Sequence, residues 1–397
     1  MISFTNISGA EEIGANCYLL EMDGTRVVLD SGMHPKREGL AAMPQFDVLE
    51  PNSVEAVFLS HSHLDRLSDS WNAKPCNEGF RVGFRQNLLA TFYDAGHILG
   101  SAGVMLESES GHTVFYTGDV QFENQSMIPG ADFPESGVDT LIMECTRGGF
   151  QRSAHYSRPE EMVRFGQAIA DTLERGGAVL IPVFAIGKSQ EMLFNIHRFK
   201  QQGVIPANTP VYFGGLSAKV SLLYDRFSGL TRRHDHDFKL KEEIQTVPLP
   251  RKGKAPLVCT PGNIYVVSSG MMTEKTLSNV MAEQVLPHEK NAILFVGYAD
   301  PDSPAGQLKT TPHGELVKMR PNGQPVRRKC TIDCFDFSGH ATRDSLVDYA
   351  VKLKPKQVIL VHGDPDAVEW MHDTLAFRMP DAEIIAPVPG KRYTFDS

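Results

Sequence analysis

The apolar run Val54–Ser60 leads directly into His61-Ser62-His63-Leu64-Asp65-Arg66. Side chains two positions apart point the same way when the backbone is extended. His61, His63 and Asp65 can therefore converge as the chain leaves a strand. Two imidazoles and a carboxylate suit a cation that takes nitrogen and oxygen ligands, such as zinc at about 2.0–2.2 Å. One such segment alone is a weak signal, because surface loops often carry it. Three others stand at similar positions. His97 lies in Gly96-His97-Ile98-Leu99-Gly100, Asp119 closes Tyr116-Thr117-Gly118-Asp119, and His362 follows Leu360-Val361. Together they offer four nitrogen and two oxygen ligands at the ends of expected strands.

The elements that must position these groups follow from hydrophobic periodicity. Cys17–Met22 and Thr25–Asp30 flank Asp23-Gly24, a type I′ hairpin signal. Val54–Ser60 reads as a buried strand, and Thr113–Thr117 and Thr140–Met143 as two more. After Glu144 the pattern changes. Arg158–Arg175 has Pro near its start, helical spacing and Gly-Gly at its end. Ala178–Phe184 follows as a strand and Lys188–Lys200 as a helix, and the alternation to about Gly297 predicts a parallel α/β insert. Thr231–Pro261 reads as a surface excursion. From Lys329 the chain is expected to return to the first unit through a strand, a helix, the strand ending at His362 and a terminal helix.

The 397 residues suggest two or three structural units, and 41% hydrophobic with 22% charged residues is ordinary globular composition. A net charge of −9 excludes non-specific coating of nucleic acid, so any such contact needs a local basic surface. No signal peptide and no run near the ~20 residues of a membrane span is visible. The six cysteines form no CxxC pair, which fits a reducing cytoplasm. A Gly-rich phosphate loop, a dinucleotide fingerprint and a Ser-His-Asp order are all absent.

Taken in order, these segments resemble the metallo-β-lactamase superfamily, and more closely its β-CASP branch of RNA-processing nucleases. Asp30-Ser31-Gly32 is similar to the first superfamily motif, His61–Arg66 to HxHxDH, and the His97 and Asp119 segments to the third and fourth. The stretch Leu141–Gly149 resembles the branch's acidic "ESTYG" segment, and Ile181–Glu191 its "IPVFALGRAQE" segment. Phe337-Ser338-Gly339-His340-Ala341 resembles "FSAHAD", and Val361–Asp364 "VHGE". The resemblance implies an αββα sandwich with an inserted α/β β-CASP cap. The expected boundaries are 1–155 and 327–397 for the core and 156–326 for the cap, with the active site in the cleft between them.

It further implies metal-assisted phosphodiester hydrolysis of single-stranded RNA. His61, His63 and His97 would hold one zinc ion, Asp119 would bridge, and Asp65 and His362 would serve a second. Asp65, Asp119, Glu144 and His340 carry the expected catalytic roles, the last two as an acid–His pair near the leaving group. Arg66, Lys188, Ser269, Arg327 and Arg328 are expected to meet the substrate. His362 favours RNA over DNA, because DNA-directed branch members more often have an aliphatic residue there. No membrane contact is expected, and a homodimer or a protein partner could supply specificity.

The chain departs from the pattern at Arg66, where the family has His. A guanidinium has no lone pair to give a cation. Three readings stay open: one metal with Arg66 serving phosphate, a second metal held weakly, or a catalytically weakened paralogue that binds RNA or protein. A small-molecule ester or phosphodiester hydrolase and a DNA nuclease of the same superfamily are further alternatives. Lys188 stands where the branch usually has Arg and loses the bidentate fork. His34 reads as a structural or rim residue, His112 as an exposed hairpin residue, Phe92 and Phe150 as core, and Arg232–Asp237 as a surface loop despite its His-Asp repeats.

Overall fold

The computed structural model describes residues 2–8, 12–14, 16–34, 37, 39–61, 74–250 and 257–395. His63, Asp65 and Arg66 lie outside the described residues. The chain forms two compact units. The first comprises residues 1–124, 130–152 and 340–397, and the second comprises 125–129 and 153–339.

The first unit is a two-sheet sandwich. Its five-stranded sheet has the order Arg392–Phe395, Ile2–Asn6, Tyr18–Met22, Thr25–Leu29, Ala56–Phe58. The expected hairpin pairs Met22 with Thr25, and Asp23 and Gly24 both take positive φ (49° and 81°), as a type I′ turn requires. The seven-stranded sheet has the order Glu383–Ile385, Gln357–Val361, Thr140–Glu144, Thr113–Tyr116, Ala102–Ser108, Leu88–Asp94, Gly79–Val82. Phe4, Leu20, Leu29 and Phe58 from one sheet pack on Leu106, Tyr116, Ile142 and Ile359 from the other. The opposite face of the larger sheet is covered by the helices Arg343–Leu353 and Pro365–Arg378 through Leu346, Val347, Met371 and Leu375.

The second unit is an open parallel α/β sheet. Its order is Val247–Pro248, Val211–Phe213, Ile264–Val267, Val179–Pro182, Ala292–Phe295, Thr331–Cys334. The four-residue runs VLIP, IYVV and AILF are buried at every position, as strands covered on both faces must be. The helix Arg158–Glu174 starts where Ser157 caps Glu160 N and Pro159 occupies the first turn.

Three differences from the sequence reading have physical causes. The buried strand expected over Val54–Ser60 is only Ala56–Phe58, and it is an edge strand with Val57 55% exposed. The strand expected to return the chain to the core near residue 327 instead extends the cap sheet, pairing Thr331–Cys334 in parallel with Ala292–Phe295. The chain re-enters the first unit at His340. His112, expected to be exposed, is buried, with Nε2 3.1 Å from the Thr140 hydroxyl, and that burial lowers its pKa. Among the described residues, no helix is long and apolar enough to cross a membrane.

An ionic cluster is buried inside the second unit. The Glu191 carboxylate accepts from Lys188 Nζ, from the Arg158 guanidinium and from Ser126 N. Burial alone would raise its pKa, but Lys188 and Arg158 outweigh this and hold it at about 2 against 4.5. A lowered carboxylate pKa contributes stability that is present above the unfolded value and is lost as pH falls through the folded value. Chemical unfolding of the whole chain should therefore become easier between pH about 4.5 and about 2. Glu191→Gln should flatten that part of the profile while losing stability at neutral pH, because it removes the carboxylate that Lys188 and Arg158 both donate to.

Candidate metal centre and active site

Parallel strands put their carboxyl ends on one rim, where ligand sites of open α/β sheets are built. In the seven-stranded sheet, Tyr116 pairs with Ile142 and Glu144 with Val361. Asp119, Glu144 and His362 therefore stand on the same rim of the first unit. The 95–101 turn between the strands ending at Asp94 and starting at Ala102 carries His97 to that rim. A hydrogen bond from Ala102 N to Ser60 O, 2.7 Å, joins the smaller sheet to the same edge and brings His61 with it. Gly118, with φ 55°, allows the close approach, since a Cβ there would meet Ser60 Cβ at 2.6 Å.

Asp119 is the centre of the arrangement. Its Oδ2 lies 3.3 Å from His61 Nε2 and 3.8 Å from His97 Nε2, and its Oδ1 lies 2.8 Å from His362 Nδ1. Two ligand groups result, His61–His97–Asp119 and Asp119–Glu144–His362, each with its donor atoms within 4.8 Å of one another. Asp119 belongs to both, the arrangement of a bridging carboxylate. Its Oδ1 is buried against the His362 ring. Two imidazoles and a carboxylate converging on a common point fit a divalent cation that takes nitrogen and oxygen ligands.

The surroundings select the ligand tautomer at His61. The Ser60 hydroxyl donates to Asp30 Oδ2 at 2.6 Å, so it can only accept from His61 Nδ1, 2.9 Å away. Nδ1 then carries the proton and Nε2 presents its lone pair, a support commonly found behind metal-binding histidines. Asp30 also accepts from Ser60 N at 2.7 Å and Tyr116 OH at 2.6 Å. Ser60 and Tyr116 escape a sequence reading of ligands because neither side chain ligates; the adjacency of Ser60 to His61 is their only trace. Asp30→Ala should lower metal affinity by about 10–100-fold. It should also cost roughly 3 kcal/mol of folding stability, since it strands two buried hydroxyls and an amide. Metal titration and urea unfolding check both.

A second pair sits beside the ligands. His340 Nδ1 is 3.0 Å and 3.2 Å from the two Glu144 oxygens, and Glu144 Oε1 is fixed by Val120 N at 2.6 Å. Gln121 Nε2 donates to His340 O, and Ala341 N to Val120 O. The His340 ring centroid is 4.5 Å from that of His97 and 6.1 Å from that of His362. Burial opposes charge on these imidazoles, but the carboxylates outweigh it. The His340 pKa rises through Glu144, and that of His362 reaches about 9 through Asp119. Asp119 falls well below the usual carboxylate range, because His362 and His61 overcome its burial. Cation binding at these groups must displace protons.

All six described ligand and acid–base candidates thus lie in the first unit. The cap residues expected to meet substrate are placed separately. Lys188 and Ser269 follow the carboxyl ends of neighbouring cap strands, which pair Pro182 with Val267. The Lys188 ammonium is committed to Glu191 and Gln125, so its charge is balanced within the cap. Ser269 Oγ lies 3.2 Å from Thr273 Oγ1. Arg327 and Arg328 stand before the amino end of Thr331–Cys334 and donate to the carbonyls of Gly314 and Thr311.

Comparison with known proteins agrees with this architecture. Family models match residues 10–72 (metallo-beta-lactamase superfamily), 189–308 (Beta-Casp domain) and 325–387 (Zn-dependent metallo-hydrolase RNA specificity domain). The chain belongs to the β-CASP branch of the metallo-β-lactamase superfamily. This β-CASP chain is 23% identical to endoribonuclease ysh1 of Schizosaccharomyces pombe, over 97% of its own length and 57% of the relative's. It is 24% identical to cleavage and polyadenylation specificity factor subunit 3 of Dictyostelium discoideum, over 98% and 56%. It is 26% identical to the transcription termination factor FttA of Methanocaldococcus jannaschii, over 93% and 68%. The chain thus spans little more than half of the eukaryotic relatives. A solved structure of a protein of unknown function from Enterococcus faecalis shares the fold, with TM-score 0.56 and 13% identity over 99% of both chains.

Proposed function

We propose that this chain is a zinc-dependent ribonuclease that hydrolyses phosphodiester bonds of single-stranded RNA. The observation that carries the reading is the convergence of His61, His97 and Asp119 on one rim with the Glu144–His340 pair. Support comes from relatives named endoribonucleases and from the RNA specificity domain matched by residues 325–387. A divalent ion there supplies Lewis-acid charge to a phosphate and makes water acidic enough to attack near neutral pH.

The protein groups then have separable tasks. His61 and His97, with His63, would hold a divalent cation, and Asp119 would serve the same ion and orient a water for attack. Glu144 fixes Nδ1 of His340, leaving Nε2 to carry a proton to the departing oxygen. Incubation with an end-labelled single-stranded RNA, with zinc or with chelator, tests the proposal. Zinc-dependent cleavage is expected, and product lengths distinguish internal from terminal cutting. A chain that binds zinc yet cleaves no RNA would sink it.

Arg66 favours a second reading, that of an enzyme with one firm metal and reduced rate, because the branch has a ligand at that position and arginine cannot ligate. Arg66→His should raise bound metal toward two ions per chain and increase the cleavage rate. Metal analysis with single-turnover kinetics decides between this and Arg66 serving phosphate, for which the substitution would slow cleavage.

A further inference from the structure

We propose that the loop from Arg147 to Phe150 forms a nucleobase-stacking subsite for the single-stranded substrate, with Phe150 as its platform. The inference rests on the ribonuclease reading and adds a specificity contact to it. Phe150 was expected in the core, yet its side chain is an exposed aromatic, 53% accessible. The Arg147 guanidinium lies 4.7 Å from its ring centroid, so a cation packs on the ring.

The loop is hydrogen-bonded within itself and follows the active-site rim in sequence. Gly148 N donates to Cys145 O at 2.8 Å, and Phe150 N to Arg147 O at 3.0 Å, so two successive turns fix the backbone. A Cβ on Gly148 would meet Ala367 O at 2.4 Å, and one on Gly149 would meet Asp366 Oδ2 at 2.6 Å. These approaches clamp the loop against the helix Pro365–Arg378 of the same unit. At its start, Cys145 N donates to His362 O, and the Thr146 hydroxyl lies 3.2 Å from His362 Nδ1. The platform is therefore tied by a few residues to two of the groups proposed to do chemistry.

The surroundings argue for a base rather than an apolar protein surface. The neighbours in sequence are Arg147, Gly148, Gly149, Gln151 and Arg152, none of which adds an apolar side chain beside the ring. A flat ring backed by a guanidinium suits a base whose backbone is anionic, and unpaired bases are recognised by such stacking. Arg152 is paired with Glu123, so the positive charge beside the ring is that of Arg147, and an aromatic with a cation on its face suits a single strand.

Binding of a labelled single-stranded RNA oligonucleotide to the full chain, measured by anisotropy in chelator so that no cleavage occurs, tests the subsite. Phe150→Ala should weaken binding by about 5–100-fold, and Phe150→Trp should restore it. An abasic scan of the oligonucleotide should reveal one position whose loss weakens binding to the parent chain but not to Phe150→Ala. Unchanged affinity of Phe150→Ala, or an abasic profile identical for both chains, overturns the proposal. Cleavage by the parent chain is scored separately. Its absence with the Phe150 effect intact overturns the ribonuclease reading alone.

Discussion

Asp119→Ala is expected to lower RNA hydrolysis by roughly 10³-fold or more and to strip metal from the chain. Asp119 is the one residue shared by both ligand groups, and its two oxygens face His61 and His97 on one side and His362 on the other. Removing it takes the shared anion from both ligand groups. Several kcal/mol of transition-state stabilisation then disappear, which is the thousandfold. Asp119→Asn separates charge from shape: the side chain still fits, but the net negative charge is gone, and metal affinity should fall nearly as far. Metal analysis beside cleavage kinetics checks the pair. Wild-type cleavage by Asp119→Ala would remove the basis of the mechanism.

His340→Gln should reduce kcat by about 10²–10⁴-fold, the range for losing a positioned general acid, while bound metal stays unchanged. That combination separates proton delivery from ligation. The decisive control is a substrate whose leaving group needs no proton, such as a nitrophenyl phosphodiester, on which His340→Gln should act almost normally. If the defect is equal on both substrates, His340 has some other task. Glu144→Gln should show a milder loss, about 10–100-fold, as expected when a supporting residue of an oriented imidazole is altered. Its Oε1 contact to Val120 N could survive in the amide.

What could be read before any coordinates were those residues whose place follows from local pattern. Asp119 and His362 each close an apolar run, and such runs become buried parallel strands that end on one rim. The turn at Asp23-Gly24 was legible because its chemistry is local. Sheet membership was not: Thr331–Cys334 alternates like a core strand, and nothing in its four residues says that its partner is Ala292–Phe295. His112 and Phe150 were each misplaced for a related reason. The first is buried by Thr140 hydrogen bonding across a sheet, and the second is held outside by a cation three residues away. Neither contact has a sequence period. The closing strands Glu383–Ile385 and Arg392–Phe395 are short, and the periodicity reading ended with the preceding helix.

The first unit is completed by the last part of the chain, with Phe395 paired to Ile2 and the strand ending at His362 lying beside the one ending at Glu144. On a ribosome this has a timing consequence. About 300 residues separate His61 from His362, which at about 5–20 residues per second is roughly 15–60 s of synthesis. During that interval the nascent chain exposes a half-built sandwich without His340 or His362. Until synthesis has passed His362, the rim therefore lacks the imidazole of the Glu144 pair and that of the second ligand group.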